Sequence, residues 1–330
     1  CENGIIEDTT NSKDNFDTKI MGVFTPFPRE VIARFYEEYF CIPNKKNIAE
    51  INKIDIYFSP FTPPSKDIEM SNLKRFRMIH DVIPIIENGM PKSPKDWYFR
   101  VYNSINKDDF YFTNSGFTQN DVLKHFPFIP ESHIKTTLLG ANDNFYPIKE
   151  KSPIEDRYIF SLCTLGKRKN LVFAIENFFR FIEKHKIEDL KLVLGGGVWN
   201  NFEKELETVL NNYDRSKIIL TGYIPEKELK KYYSNALCFI YPSLYEGLPV
   251  VGMEACASGV SVLLADTITK ECAISDNVSF LPINDPCLWA DKILSAKSGD
   301  RFKNAEAMLK GPYNIKACAK ELSEYYSTLV

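Results

Sequence analysis

The sequence has no apolar run near the ~20 residues that a helix needs to cross a bilayer, and no leader-like stretch at its start. Its eight cysteines, at positions 1, 41, 163, 238, 256, 272, 287 and 318, form no C-x-x-C pair, and several lie in apolar strand-like runs such as 237–241. That argues against a zinc site or a disulfide framework and for reduced, buried thiols, hence a cytoplasmic location. Four scattered histidines and the lack of an H-E-x-x-H pattern argue against a metal-built active site. Charge of one sign is also missing: 41 basic against 44 acidic residues leave a formal charge of −3. No global field recruits nucleic acid or anionic lipid, so any anion site must be local.

At 330 residues the chain exceeds what one core usually fills, about 250 to 300 residues, so two domains are expected. Downstream of Arg157, short β-branched or apolar runs at 158–163, 191–194, 217–221, 237–241, 260–264 and 278–281 alternate with helical patterns. Leu171, Ile175, Phe178 and Ile182 recur at helical spacing, and Pro225 and Glu226 suit a helix start. Such alternation implies an α/β fold, a doubly wound parallel sheet with helices on both faces. The first half repeats the style, with strands expected near 19–23, 54–58, 76–80, 110–113 and 134–138 and helices near 30–40, 95–105 and 119–126. The polar, aperiodic stretch 142–156 reads as the linker, dividing the chain into domains 1–150 and 151–330. A final helical pattern covers 313–329. Residues 1–17 are polar and begin with Cys1 rather than Met, which suggests that the natural N-terminus lies further upstream.

Chemistry concentrates in the second half. Between two buried strands lies Tyr241-Pro-Ser-Leu-Tyr-Glu246-Gly247-Leu248-Pro249-Val-Val-Gly-Met-Glu254, whose later part reads as a helix with Pro249 in its first turn. Eight residues at helical rise put Glu246 and Glu254 on the order of 12 Å apart, a span that suits the two ends of a nucleotide-sugar with its diphosphate at the helix N-terminus. A glycoside hydrolase pair stands closer, at about 5 to 9.5 Å. A surface helix with one acid near its positive end would carry the same residues. After the first strand of this half comes Thr164-Leu-Gly-Lys167-Arg168-Lys169-Asn170, read as opening the following helix. Three cations there oppose the helix dipole unless an anion joins them, and Arg with Lys can hold a departing diphosphate; a solvated basic turn is the plainer reading. Gly195 and Gly196, in a glycine triplet after another strand, would let backbone approach a ligand, although such triplets are common loops. In the first half, His80-Asp81 ends a strand where His80 could face a cleft, against the commoner role of a structural histidine.

The E-x7-E segment, the R-K-N turn at 168–170 and the Gly222-Tyr-Ile-Pro225 element resemble the family-four retaining glycosyltransferases of the GT-B fold, closest to bacterial capsule, O-antigen and cell-wall sugar transferases. The resemblance covers 157–330 in motif order; before that it rests on His80-Asp81, the strand at 55–60 and Leu139-Gly-Ala141. It implies two doubly wound Rossmann-like domains facing a cleft, with the last helix crossing back to the first. It further implies that Glu246 contacts the donor sugar, Glu254 the ribose hydroxyls, Arg168 and Lys169 the diphosphate, and that His80 reaches the donor sugar from the opposite domain. Gly247, Leu248, Pro249, Gly195, Gly196 and Thr164 would complete the donor pocket, Thr164 standing where many members have Arg. The implied partners are a UDP- or GDP-linked sugar and a glycan or lipid-linked acceptor, without metal or other cofactor, in a cytoplasmic protein with peripheral contact at the inner face of the membrane. No D-x-D occurs in the chain, as expected for this family. The family's first strand and glycine-rich loop would precede residue 1. Alternatives on the same architecture are a nucleotide-sugar epimerase, a phosphorylase, or a catalytically impaired subunit that binds the nucleotide-sugar without transfer.

Overall fold

A computed structural model describes residues 51–52, 55–60, 63–93, 96–140, 144–197, 202–273, 275–296, 300–311 and 313–329. The strand expected at 19–23 and the helix at 30–40 lie outside them. The chain divides into two compact units, 1–57 with 64–73 and 58–63 with 74–330. Within the smaller unit, the short helix α1 (Lys66–Glu69) is described, and the Asn72 N–H donates to Asn52 Oδ1 at 2.8 Å.

The larger unit holds two parallel sheets. In the first, the last two residues of β1 (Ile56–Ser59) are followed in order by β2 (Lys74–Ile79), β3 (Phe110–Thr113) and β4 (Ile134–Thr136). Helices α2 (Ile83–Asn88), α3 (Trp97–Asn103) and α4 (Gly116–His125) lie between these strands in sequence. β4 stops at Thr136, two residues short of the apolar run that predicted it.

Residues 137–156 connect to β5 (Arg157–Leu162), and from there strand and helix alternate. They run α5 (Leu171–His185), β6 (Leu190–Gly195), α6 (Phe202–Leu210), β7 (Ile218–Gly222), α7 (Glu226–Asn235), β8 (Cys238–Tyr241), α8 (Val250–Ala257), β9 (Ser261–Ala265), β10 (Val278–Leu281), α9 (Pro286–Ser295), α10 (Arg301–Lys310) and α11 (Ile315–Leu329). α5 forms because Leu171, Ala174, Ile175, Phe178 and Ile182 make one apolar stripe, and all five are buried. All four residues of β8 are buried, as expected of a strand covered on both faces.

The second sheet has the order β10-β9-β8-β5-β6-β7 with every described pair parallel. Counted from β5 this is 3-2-1-4-5-6 read from the β7 edge, the nucleotide-binding winding, and its direction of travel reverses between β5 and β8. α11 returns to the first sheet, where the Tyr326 ring stands edge-on to Phe76 with centroids 4.9 Å apart and Tyr325 meets Phe112 at 5.7 Å.

Candidate active site

In sheets of this winding ligands bind outside the carboxyl ends of the strands at the switch point, here β5 and β8. The cationic turn follows β5 and the loop carrying Glu246 follows β8, so the winding alone brings together residues about eighty positions apart in the sequence. Backbone bonds fix the approach. The Leu244 N–H donates to the Arg168 carbonyl at 2.8 Å, and Thr267 Oγ1, beyond β9, donates to the Ser243 carbonyl at 2.8 Å.

The cations do not open α5, contrary to the sequence reading. Lys167–Lys169 form a separate 3-10 turn, and Asn170 then takes a left-handed conformation (φ 53°) before α5 begins at Leu171. Asparagine tolerates that region better than most residues, so the chain changes direction there and the cations are displaced from the first turn of the helix. Lys167 is exposed and pairs with Glu205 at 3.0 Å. Arg168 and Lys169 face the β8 loop.

Four donors converge there on one carboxylate oxygen. Glu246 Oε1 accepts from Lys169 Nζ at 2.5 Å, Arg168 Nη1 at 2.6 Å, Ser243 Oγ at 2.6 Å and Tyr241 Oη at 3.0 Å. Lys169 Nζ also donates to Tyr241 Oη at 2.6 Å, and Arg168 Nη1 to the Tyr245 carbonyl at 2.5 Å. Glu246 is 7% exposed. Burial pushes its pKa up, but the charges of Lys169 and Arg168 outweigh that and hold it below the usual glutamate range. Cys163, at the end of β5, is pushed up to about 12 by burial and stays a thiol.

The first sheet supplies the opposite wall. Asp81 and Glu87, with Tyr98 from α3, line an open cleft of about 1140 Å³ whose other side is Thr164, Arg168 and Lys169. Glu87 Oε1 lies 3.4 Å from Arg168 Nε. Asp81 is raised above the ordinary aspartate value by burial and further by Glu246, against the lowering effects of the Ile83 N–H and Arg168. His80 is half-buried. Burial lowers its basicity, while Asp81 and a hydrogen bond with the Pro60 backbone oppose that, so its ring has a structural anchor.

The remaining predicted residues are dispersed. Glu254 lies on α8, where it accepts from Tyr233 Oη at 3.0 Å; burial is the main reason that its pKa is shifted up to about 7. Leu248 is buried in the core of the second sheet, and Pro249 occupies the N-cap of α8 rather than its first turn. Gly195 and Gly196 answer a packing need: a Cβ on Gly196 (φ 117°) would stand 1.8 Å from the Cys163 carbonyl oxygen, so only glycine allows the ends of β5 and β6 to meet. Gly247 is equally constrained, since a Cβ there would lie 2.7 Å from Thr118 Oγ1 and 2.8 Å from the His80 carbonyl oxygen. That close approach joins the two sheets. Ser115 Oγ donates to the Gly247 carbonyl at 2.8 Å, and Glu271 Oε1 accepts from the Gly116 N–H at 2.9 Å, capping α4 from beyond β9.

Sequence reasoning missed Asp81, Glu87, Tyr241, Ser243 and Glu271 as members of this constellation. Ser115 before a helical pattern is an N-cap signal, but its Gly247 partner is 132 positions away and leaves no local trace.

Residues 143–311, just over half of the chain, match the family described as Glycosyl transferases group 1. The chain belongs to the group 1 glycosyl transferases. Its two Rossmann-like parallel sheets are the GT-B fold, and solved structures agree. A sucrose-phosphate synthase from Thermosynechococcus elongatus superposes with a TM-score of 0.69 at 17% identity, covering 92% of this chain and 80% of that one. Anabaena HepE, in complex with UDP and glucose, gives 0.67 at 12% identity, covering 86% and 80%. Among curated relatives, the O-antigen chain mannosyltransferase B of Escherichia coli is 23% identical over 62% of this chain and 55% of its own length. The amylovoran biosynthesis glycosyltransferase AmsK of Erwinia amylovora is 26% identical over 61% and 52%. This glycosyl transferase thus spans about half the length of these two relatives. Among its described residues, no helix is long and apolar enough to cross a membrane.

Proposed function

We propose that the protein is a retaining hexosyltransferase of bacterial surface-polysaccharide synthesis, moving a sugar from a UDP- or GDP-linked donor to a glycan or lipid-linked acceptor. One observation carries the reading: Arg168, Lys169 and Glu246 meet at the switch point of a nucleotide-binding sheet and beside an open cleft. The named relatives act in O-antigen and amylovoran synthesis, which supports the acceptor class.

In this reading residues 151–330 bind the donor and 1–150 contribute the acceptor side. Arg168 and Lys169 hold the diphosphate and stabilise the negative charge that grows as it leaves. Glu246 takes sugar hydroxyls and Glu254 the ribose, while His80 approaches the sugar from the first sheet. The acceptor hydroxyl attacks on the face the diphosphate leaves, giving up its proton to the leaving phosphate. No enzyme nucleophile and no metal ion is then required. Closure of the cleft excludes water and limits hydrolysis.

The test is transfer from α-linked UDP- and GDP-hexoses to an oligosaccharide acceptor, with the product anomer read by NMR. An α-linked product is expected. A β-linked product overturns retention, release of an isomerised nucleotide-sugar supports an epimerase instead, and nucleotide binding without transfer supports an impaired subunit.

A further inference from the structure

A carboxylate oxygen has two lone pairs, yet Glu246 Oε1 is met by four donors within 3.0 Å, two of them cationic. The donor set exceeds what that oxygen can satisfy, and a larger anion with several oxygens would use it more fully. Of the four cations that line the cleft, Lys92, Lys167, Arg168 and Lys169, Glu246 contacts Arg168 and Lys169, while Lys167 is drawn off to Glu205. The side chain that should read the sugar is therefore bound to the groups that should read the diphosphate.

We propose that Glu246 is an internal competitor for the donor's diphosphate: its carboxylate occupies the Arg168–Lys169 pair until phosphate oxygens displace it, and only then is it free to accept sugar hydroxyls. This rests on the functional reading above and adds an order to it, phosphate contact before sugar contact. Displacing a buried carboxylate from two cations carries a cost, because the charge then needs new donors. A complete nucleotide-sugar supplies them through the sugar hydroxyls. The bare nucleoside diphosphate supplies none. Glu246 therefore favours the donor over the spent product at the same phosphate site and helps the product leave.

The opposing expectation, that Glu246 only adds contacts, predicts weaker binding of every ligand when it is altered. Competition predicts the reverse for the product. Titration calorimetry with UDP, GDP and their hexose conjugates on the wild-type protein and on Glu246→Gln reads the difference. Glu246→Gln keeps the size of the side chain and removes its charge, and should bind the nucleoside diphosphate about tenfold more tightly, as expected when roughly one strong charged contact no longer has to be broken. Its preference for the sugar conjugate should fall or invert. Ser243→Ala, which removes one donor to Oε1 and leaves every charge in place, should shift the product affinity in the same direction by a few-fold, so the inference stays testable if the Gln variant folds poorly. Unchanged or weaker product binding in the folded variants overturns the competition while leaving the donor site standing. Absence of nucleotide binding in all forms, wild type included, overturns the donor site and the competition together.

Discussion

The loop end and the helix end of the 246–254 segment each carry a glutamate, and their surroundings drive them in opposite directions. Glu246 is the more buried of the two, yet Lys169 and Arg168 hold its pKa below the usual glutamate range. Glu254 is less buried, but with a phenol as its hydrogen-bond partner and Glu226 adding a like charge, burial prevails and takes it up to about 7. Desolvation alone therefore does not decide the charge of a buried carboxylate; the counter-charge within hydrogen-bond reach does. The charged form is favoured at one end of the segment, and the other end titrates at about 7.

The most severe way to break this contrast is to remove the counter-charge. Lys169→Ala should lower transfer on the order of 100-fold, since it takes a charged donor away from the leaving diphosphate and from Glu246 together. Steady-state kinetics with saturating donor check this, and an unchanged kcat would contradict it.

The next test addresses Glu254. Its folded value, about 7, lies above the unfolded value of 4.5, so any stability it contributes is fully present below pH 4.5 and lost as pH rises through 7. A shift of that size corresponds to about 3 kcal/mol. Glu254→Gln should therefore leave thermal stability nearly unchanged near pH 4.5 and raise it above pH 8, as scanning calorimetry would show. Glu246 has the opposite sign: its contribution is present above pH 4.5 and lost as pH falls through its lowered value.

The smallest effect sharpens the comparison. Tyr233→Phe removes the hydrogen bond that lowers the pKa of Glu254, so the carboxyl should titrate higher still, followed by NMR of the labelled side chain, with a stability loss of about 1 kcal/mol. A downward shift would mean that the phenol is not the partner that matters.

How much of this was legible in the sequence follows from where each signal resides. All six strands β5 to β10 appear within a residue or so of their expected limits; central ones such as the fully buried β8 are the continuous apolar runs that burial on both faces imposes, while the edge strands β7 and β10 keep partly exposed residues. β3 matches 110–113, whereas β4 ends early at Thr136 because its partner β3 ends opposite it at Thr113, to whose carbonyl the Thr137 N–H still donates at 2.8 Å. Arg168, Lys169 and Glu246 were visible as motifs. Their contact was not, because it depends on the switch point and on the left-handed turn at Asn170, whose only sequence trace is a single asparagine. Asp81, Glu87 and Glu271 were less visible still: each is an ordinary acid in its own neighbourhood and gains its role from a partner on the other sheet.

The most direct measurement of the central claim is a crystal structure of the protein with UDP-hexose or GDP-hexose. The diphosphate should lie between Arg168 and Lys169, with Glu246 moved onto the sugar hydroxyls. A nucleotide bound elsewhere, with the Glu246 carboxylate still seated on both cations, would contradict it.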